Sequence, residues 1–202
     1  MHRSFRYMSN IFRVFTRILN LSFYPANELK DIATENNSRK TIYIEFVVPL
    51  LCLMTIAIII GTWLNTSREL YSAGYVIYRI AMLWTSLSAG LYISSFVVTE
   101  IIAHHTGAGG HNRDFALMAY SAGTAYLVII IVALFPFFNE LYVLAFYSCY
   151  RYWTGIPHLI RIDGINRTKY GILSLLVMLL TYSLSFFFFD KVFKAIFLNS
   201  IS

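Results

Sequence analysis

The run FVVPLLCLMTIAIIIGTWL, Phe46–Leu64, holds nineteen residues without a charge, and it decides which solvent the chain folds in. A helix rises about 1.5 Å per residue and bilayer hydrocarbon is about 30 Å thick, so about 20 apolar residues make one crossing. Three further uncharged runs reach that length: Ile80–Thr99 with 20 residues, Phe115–Phe138 with 24 and Tyr170–Phe189 with 20. A fifth, Leu141–Ile160, has 20 residues between Glu140 and Arg161 but carries Arg151 inside it. The sequence predicts an all-α integral membrane bundle of five transmembrane helices, over about 44–64, 79–101, 115–138, 141–160 and 170–189. These form a domain 42–202 behind a short helical N-terminal segment, 1–41.

Composition agrees. Of 202 residues, 58% are hydrophobic and 13% charged, and a chain this short has no soluble core large enough to hide so much apolar surface. Low charge argues against disorder, and two cysteines inside apolar runs, Cys52 and Cys149, argue against a disulfide-stapled scaffold. The net charge of +6 lies beside apolar segments, where anionic lipid and topology explain it without nucleic acid.

Cytoplasmic flanks of spans retain Lys and Arg. The N-terminal segment holds Arg3, Arg6, Arg13, Arg17, Lys30, Arg39 and Lys40. Placing it inside also places Arg113, Arg161, Arg167 and Lys169 inside, leaving Arg68, Lys191 and Lys194 outside. The expected topology has the N-terminus in the cytoplasm and the C-terminus on the opposite side. The segment itself does not resemble a cleavable signal peptide, because Arg13 and Arg17 interrupt its apolar positions. Ile11, Phe12, Phe15, Ile18 and Leu19 recur at helical spacing. Such a helix either lies in the headgroup region, with Arg3, Arg6, Arg13 and Arg17 on the membrane surface, or packs on the protein's own cytoplasmic ends.

A cation at span depth is costly and is usually paired or turned inward. Ser148, Arg151, Gly155 and His158 lie near one helical face, and Glu45 and Glu100 end neighbouring spans. The expectation is a structural pair of Arg151 with Glu100 or Glu45. Small residues at four-residue steps, Ser86, Gly90 and Ser94 in the second span and Ala57 and Gly61 in the first, mark close helix contacts. The loop HHTGAGGH gathers His104, His105 and His111. These are weak metal candidates whose spacing matches no strong signature, and the glycines more simply let the chain turn. No nucleophile elbow, metal-protease helix, P-loop or carboxylate dyad is present, so no catalytic residue and no cofactor are expected.

Several segments resemble the Yip1 membrane-protein family in its bacterial form. LNLSFYPANELKDIATEN, from Leu19 to Asn37, is similar to that family's pre-membrane stretch, with Pro25 before an acidic short helix. The Gly-rich loop, Ala119, Tyr120 and Ser121, and the closing Pro136 resemble its third helix. LYVLAFYSCYRYWTGIPHLI resembles its Tyr-rich helix, with Tyr152 and Gly155 at the motif positions. The order of these elements along five spans carries the resemblance. Gly123 and Thr124 stand where a proline is common, and the Asp-Leu-Tyr-Gly-Pro element of the eukaryotic proteins is absent. The resemblance implies a five-span fold with a cytoplasmic N-terminus, in a bacterial inner membrane. It implies a non-enzymatic role organising membrane or protein partners. The alternative is a small transporter or channel, alone or as a homo-oligomer, with a polar path near Arg151.

Overall fold

The computed structural model describes residues 14, 16–21, 24–35, 37–65, 73–106, 110–160 and 165–197. Every element among them is helical: α1 (Pro25–Thr34), α2 (Arg39–Ile42), a π turn (Tyr43–Val47), α3 (Val48–Asn65), α4 (Ala73–Thr106), α5 (His111–Leu134), a 3-10 segment (Pro136–Phe146), α6 (Tyr147–Leu159) and α7 (Ile165–Phe197). A short helical stretch at 16–21 precedes α1.

Prolines set the irregular points. Pro49 has no N–H to return to the carbonyl of Glu45 and its ring crowds that turn, so the helix widens just before it. There the N–H of Val48 reaches back to the Tyr43 carbonyl. Pro136 opens the 3-10 segment, and Phe135 before it leaves the helical region at φ −129°, ψ 81°, as the residue ahead of a proline tends to do.

Among the described residues four helices are long and apolar enough to cross a membrane: Arg39–Leu64, Ala73–His104, His111–Leu134 and Thr168–Phe197. The expected fourth crossing is not among these four, because 141–160 is no continuous α-helix. Its first part belongs to the 3-10 segment, with Phe138 ahead of it off the helical geometry, and its α-helical part is only 13 residues long. The third expected span likewise stops at Leu134 rather than 138. Two helices overrun their apolar cores instead, since α4 has 34 residues and α7 has 33. They pack as an antiparallel pair, with the Gly90 backbone against the Tyr182 ring. Farther along, Tyr78 donates to Asp190, which also accepts from Lys194 at 2.8 Å.

The α3 and α5 helices run parallel, Phe46 beside Gly123 and Gly61 beside Ala133. At Gly61 the approach is backbone to backbone: a Cβ there would stand 1.8 Å from the Ala133 carbonyl oxygen. That contact requires glycine, as close helix packing in lipid often does. The 3-10 segment and α6 return antiparallel along α5. Ser148 accepts from the Ala125 N–H at 3.2 Å, and Gly155 leaves room for Leu117 and Leu29. Three serines of α4 are satisfied locally. Ser86, Ser94 and Ser95 donate back to the carbonyls of Met82, Leu91 and Tyr92, satisfying themselves within their own helix.

Candidate functional site

The site forms where three layers meet on α5: the stretch 16–21, helix α1 and helix α6. Val14, Ile18 and Leu21 are buried, as are Leu29 and Ile32 of α1. Of the apolar stripe seen in the sequence, Ile18 is used by the protein's own helices, reaching Gly123, while Leu19 is exposed and Ile11, Phe12 and Phe15 lie outside the described residues; Leu29 of α1 reaches Gly155. Burying Ile18 and Leu21 places Arg17 against the bundle.

Arg17 meets three groups. Its Nε donates to Glu28 at 3.1 Å, its Nη1 to the Tyr120 hydroxyl at 3.0 Å and its Nη2 to Glu35. The guanidinium also lies over the Tyr120 ring, 5.2 Å from its centroid. Asn20 donates to the second oxygen of Glu28 at 3.1 Å, and Asn37 to the second oxygen of Glu35 at 2.9 Å. Burial alone would lower the proton affinity of Arg17, but the Glu35 hydrogen bond and the other anionic contacts outweigh it and hold the group above its ordinary value. Arg17, which one reading of the sequence places on the membrane surface, is engaged by carboxylates of the chain itself. Arg3, Arg6 and Arg13 lie outside the described residues.

Arg151 sits on the other side of the same tyrosine. It is 0% exposed, and its Nη2 donates to the Tyr120 carbonyl at 2.6 Å while Nη1 donates to the Thr124 hydroxyl. Its Nε has no partner among the described residues. The expected pairing with Glu100 or Glu45 does not form; both carboxylates are exposed, Glu45 at the rim of the α1 face and Glu100 on α4. The physical reason is register. Arg151 faces the middle of α5, where dipoles of a carbonyl and a hydroxyl take the place of a counter-ion. Tyr120 thus joins two arginines, one by its hydroxyl and one by its carbonyl, and its ring packs on Phe46 at 4.6 Å.

A cleft of about 320 Å³ opens beside this junction, lined by Arg17, Asn20, Glu28, Thr41, Glu45 and Tyr120 among others. Of the remaining sequence candidates, Ser121 and Tyr152 are buried, and the Ser121 hydroxyl has no partner among the described residues. Pro25 occupies the first turn of α1, and His158 is half-buried in the last turn of α6. His104 and His111 are exposed at the ends of α4 and α5, and the His105 side chain is not described. Among the described residues no group of three His, Cys, Asp or Glu could hold a metal.

Sequence reasoning did not find the Arg17 cluster, Thr124 or Asp114, a buried acid in the first turn of α5. A signal for the first was present: Glu28 and Glu35 are seven residues apart and share a helical face beside the apolar stripe. Comparison of the chain with family models, curated proteins and solved structures finds no match.

Proposed function

We propose that the chain is a non-enzymatic Yip1-type membrane protein that crosses the bilayer five times, with its N-terminal segment in the cytoplasm, and gathers protein partners there. The family reading stands on the order of motifs in the sequence, from Pro25 through Tyr120 and Pro136 to Gly155. The fifth crossing is supported by length. The 3-10 segment has 11 residues at about 2.0 Å each and α6 has 13 at about 1.5 Å, so together they extend about 40 Å. Five crossings place the two ends on opposite sides, in accord with the positive charge of the N-terminal flank.

The observation that carries the role is the Tyr120 junction. Arg17 and Arg151 are both consumed in holding helices together, whereas a transport path would present a cation to a polar channel. The junction leaves the N-terminal segment folded over a mixed polar cleft, a shape suited to the side chains of a protein partner. A photo-crosslinking amino acid at Asn20 or Thr41, on the cleft wall, is expected to capture a discrete set of proteins in native membranes. Lipid-facing Leu180 is expected to capture none of them. Solute or ion flux into proteoliposomes that depends on Arg151 would overturn the proposal in favour of transport.

A further inference from the structure

The cleft beside the Tyr120 junction has an unbalanced charge. Among its described lining residues Arg17 is the only cation, while Glu28 and Glu45 bring two carboxylates. Arg17 is already shared between Glu28 at 3.1 Å and Glu35. Glu28 has both oxygens engaged, one by Arg17 and the other by Asn20 at 3.1 Å. Glu45 differs. It is exposed, and it takes no part in the ion pairs of the described residues, which join Arg17 to Glu28 and Glu35 and Lys194 to Asp190. Arg39 and Lys40 are close to it in sequence but do not line the cleft.

The wall behind this carboxylate is apolar. The π turn carries Glu45 and Phe46 next to each other, and widened turns of this kind recur at functional sites. Phe46 is buried and packs on the Tyr120 ring, and the buried Ile42 lines the same cleft. A negative rim beside aliphatic and aromatic surface matches a side chain with an apolar stem and a positive head, which is the build of lysine and arginine. The volume of about 320 Å³ is near the lower bound for cavities that take small ligands, about 300–1,000 Å³. It admits one long side chain and is too narrow for a helix about 10 Å across.

We propose that the cleft receives a single lysine or arginine side chain of a protein partner, with the charged head at Glu45 and the stem along Ile42 and Phe46. The proposal rests on the partner-gathering reading and narrows it to a partner that presents a basic residue. A lipid ammonium group carries the same charge, but the origin of the walls disfavours it. All the described lining residues except Phe46 and Tyr120 precede the apolar run that begins at Phe46. The cleft is therefore built by the segment ahead of the first crossing and not by the lateral surface of the spans.

The test places a photo-crosslinking amino acid at Asn20 or Thr41 of the full chain in native membranes and sequences the crosslinked peptides by mass spectrometry. Partner peptides are expected to carry lysine or arginine at or beside the crosslinked position. Glu45→Gln should lower the yield about fivefold, the upper value for a partly exposed ion pair, and Glu45→Lys should lower it further because a like charge then faces the head. Glu100→Gln, an exposed carboxylate on α4, should leave the yield unchanged. Glu45 is itself exposed, so its variants are expected to fold, and size-exclusion chromatography checks that they do. A yield unmoved by both Glu45 variants overturns the proposal, as do partner peptides without a basic residue at that place; either result leaves the partner-gathering reading standing. Crosslinks to phospholipid in place of peptide also overturn it. Capture of no protein from either position overturns that reading and this proposal together.

Discussion

Gly61→Leu is expected to abolish the folded, monodisperse species in detergent, and Gly61→Ala to lower its melting temperature sharply. The argument is steric. A single methyl at Gly61 would stand 1.8 Å from the Ala133 carbonyl oxygen and 3.0 Å from the Leu134 Cα, and both are backbone atoms that cannot rotate away. The helices must separate, which gives up the dispersion contacts that hold α3 on α5, where lipid supplies no hydrophobic drive to restore them. Overpacking of this kind costs about 1–3 kcal/mol for the smallest substitution and more for a larger one. Gly110→Ala is the control, because among the described residues nothing lies within 4 Å of a Cβ there. Thermal melts of the three variants, read by size-exclusion chromatography, check the prediction. Comparable melting of Gly61→Ala and Gly110→Ala would show that α3 and α5 are not in backbone contact.

The second large effect is expected at Arg17. Arg17→Ala removes donors from Glu28, Glu35 and the Tyr120 hydroxyl together, leaving two carboxylates that are partly shielded from water. A single hydrogen bond to a charged group contributes about 1.5–3 kcal/mol net, and partial exposure of this cluster brings the expected loss for the whole side chain down to the lower part of that range. A loss of about 2 kcal/mol raises the population of the locally opened segment about 30-fold. The measurement is limited proteolysis of the purified protein between residues 16 and 38. Arg17→Ala should be cut about 30-fold faster, while Lys30→Ala, an exposed position on α1, should match the wild type. Equal cutting of Arg17→Ala and wild type would mean that the segment is held by its apolar face alone.

These two sites differ in how far the sequence discloses them. Gly61 was legible, because small residues at helical spacing inside an apolar run have one common use in lipid. So was the burial of Ile18, as one of two readings of its stripe. The partner of Arg151 was not. Its sequence neighbours suggested carboxylates, and an arginine satisfied by a mid-helix carbonyl and Thr124 leaves no charge of opposite sign to find. The 3-10 segment was equally hidden, because FFNELYVLAF is apolar on most sides and uniform apolarity does not report the helical period. Helix ends were misjudged for a different reason. Charges at Arg79 and Asp190 end the apolar runs but not the helices, which continue because each packs on the other.

The proposed topology has the chain cross the bilayer five times. Among the described residues four helices meet the length and apolarity of a crossing on their own, and four crossings would return the chain to the side on which it started. The fifth depends on the composite of the 3-10 segment and α6. The direct test is labelling of single cysteines, at Lys40→Cys and Ser200→Cys, in a background with Cys52 and Cys149 replaced by alanine, using a membrane-impermeant maleimide on intact cells. Five crossings predict that position 200 reacts from outside and that position 40 reacts only after permeabilisation. Reaction of both positions from the same side would contradict the account.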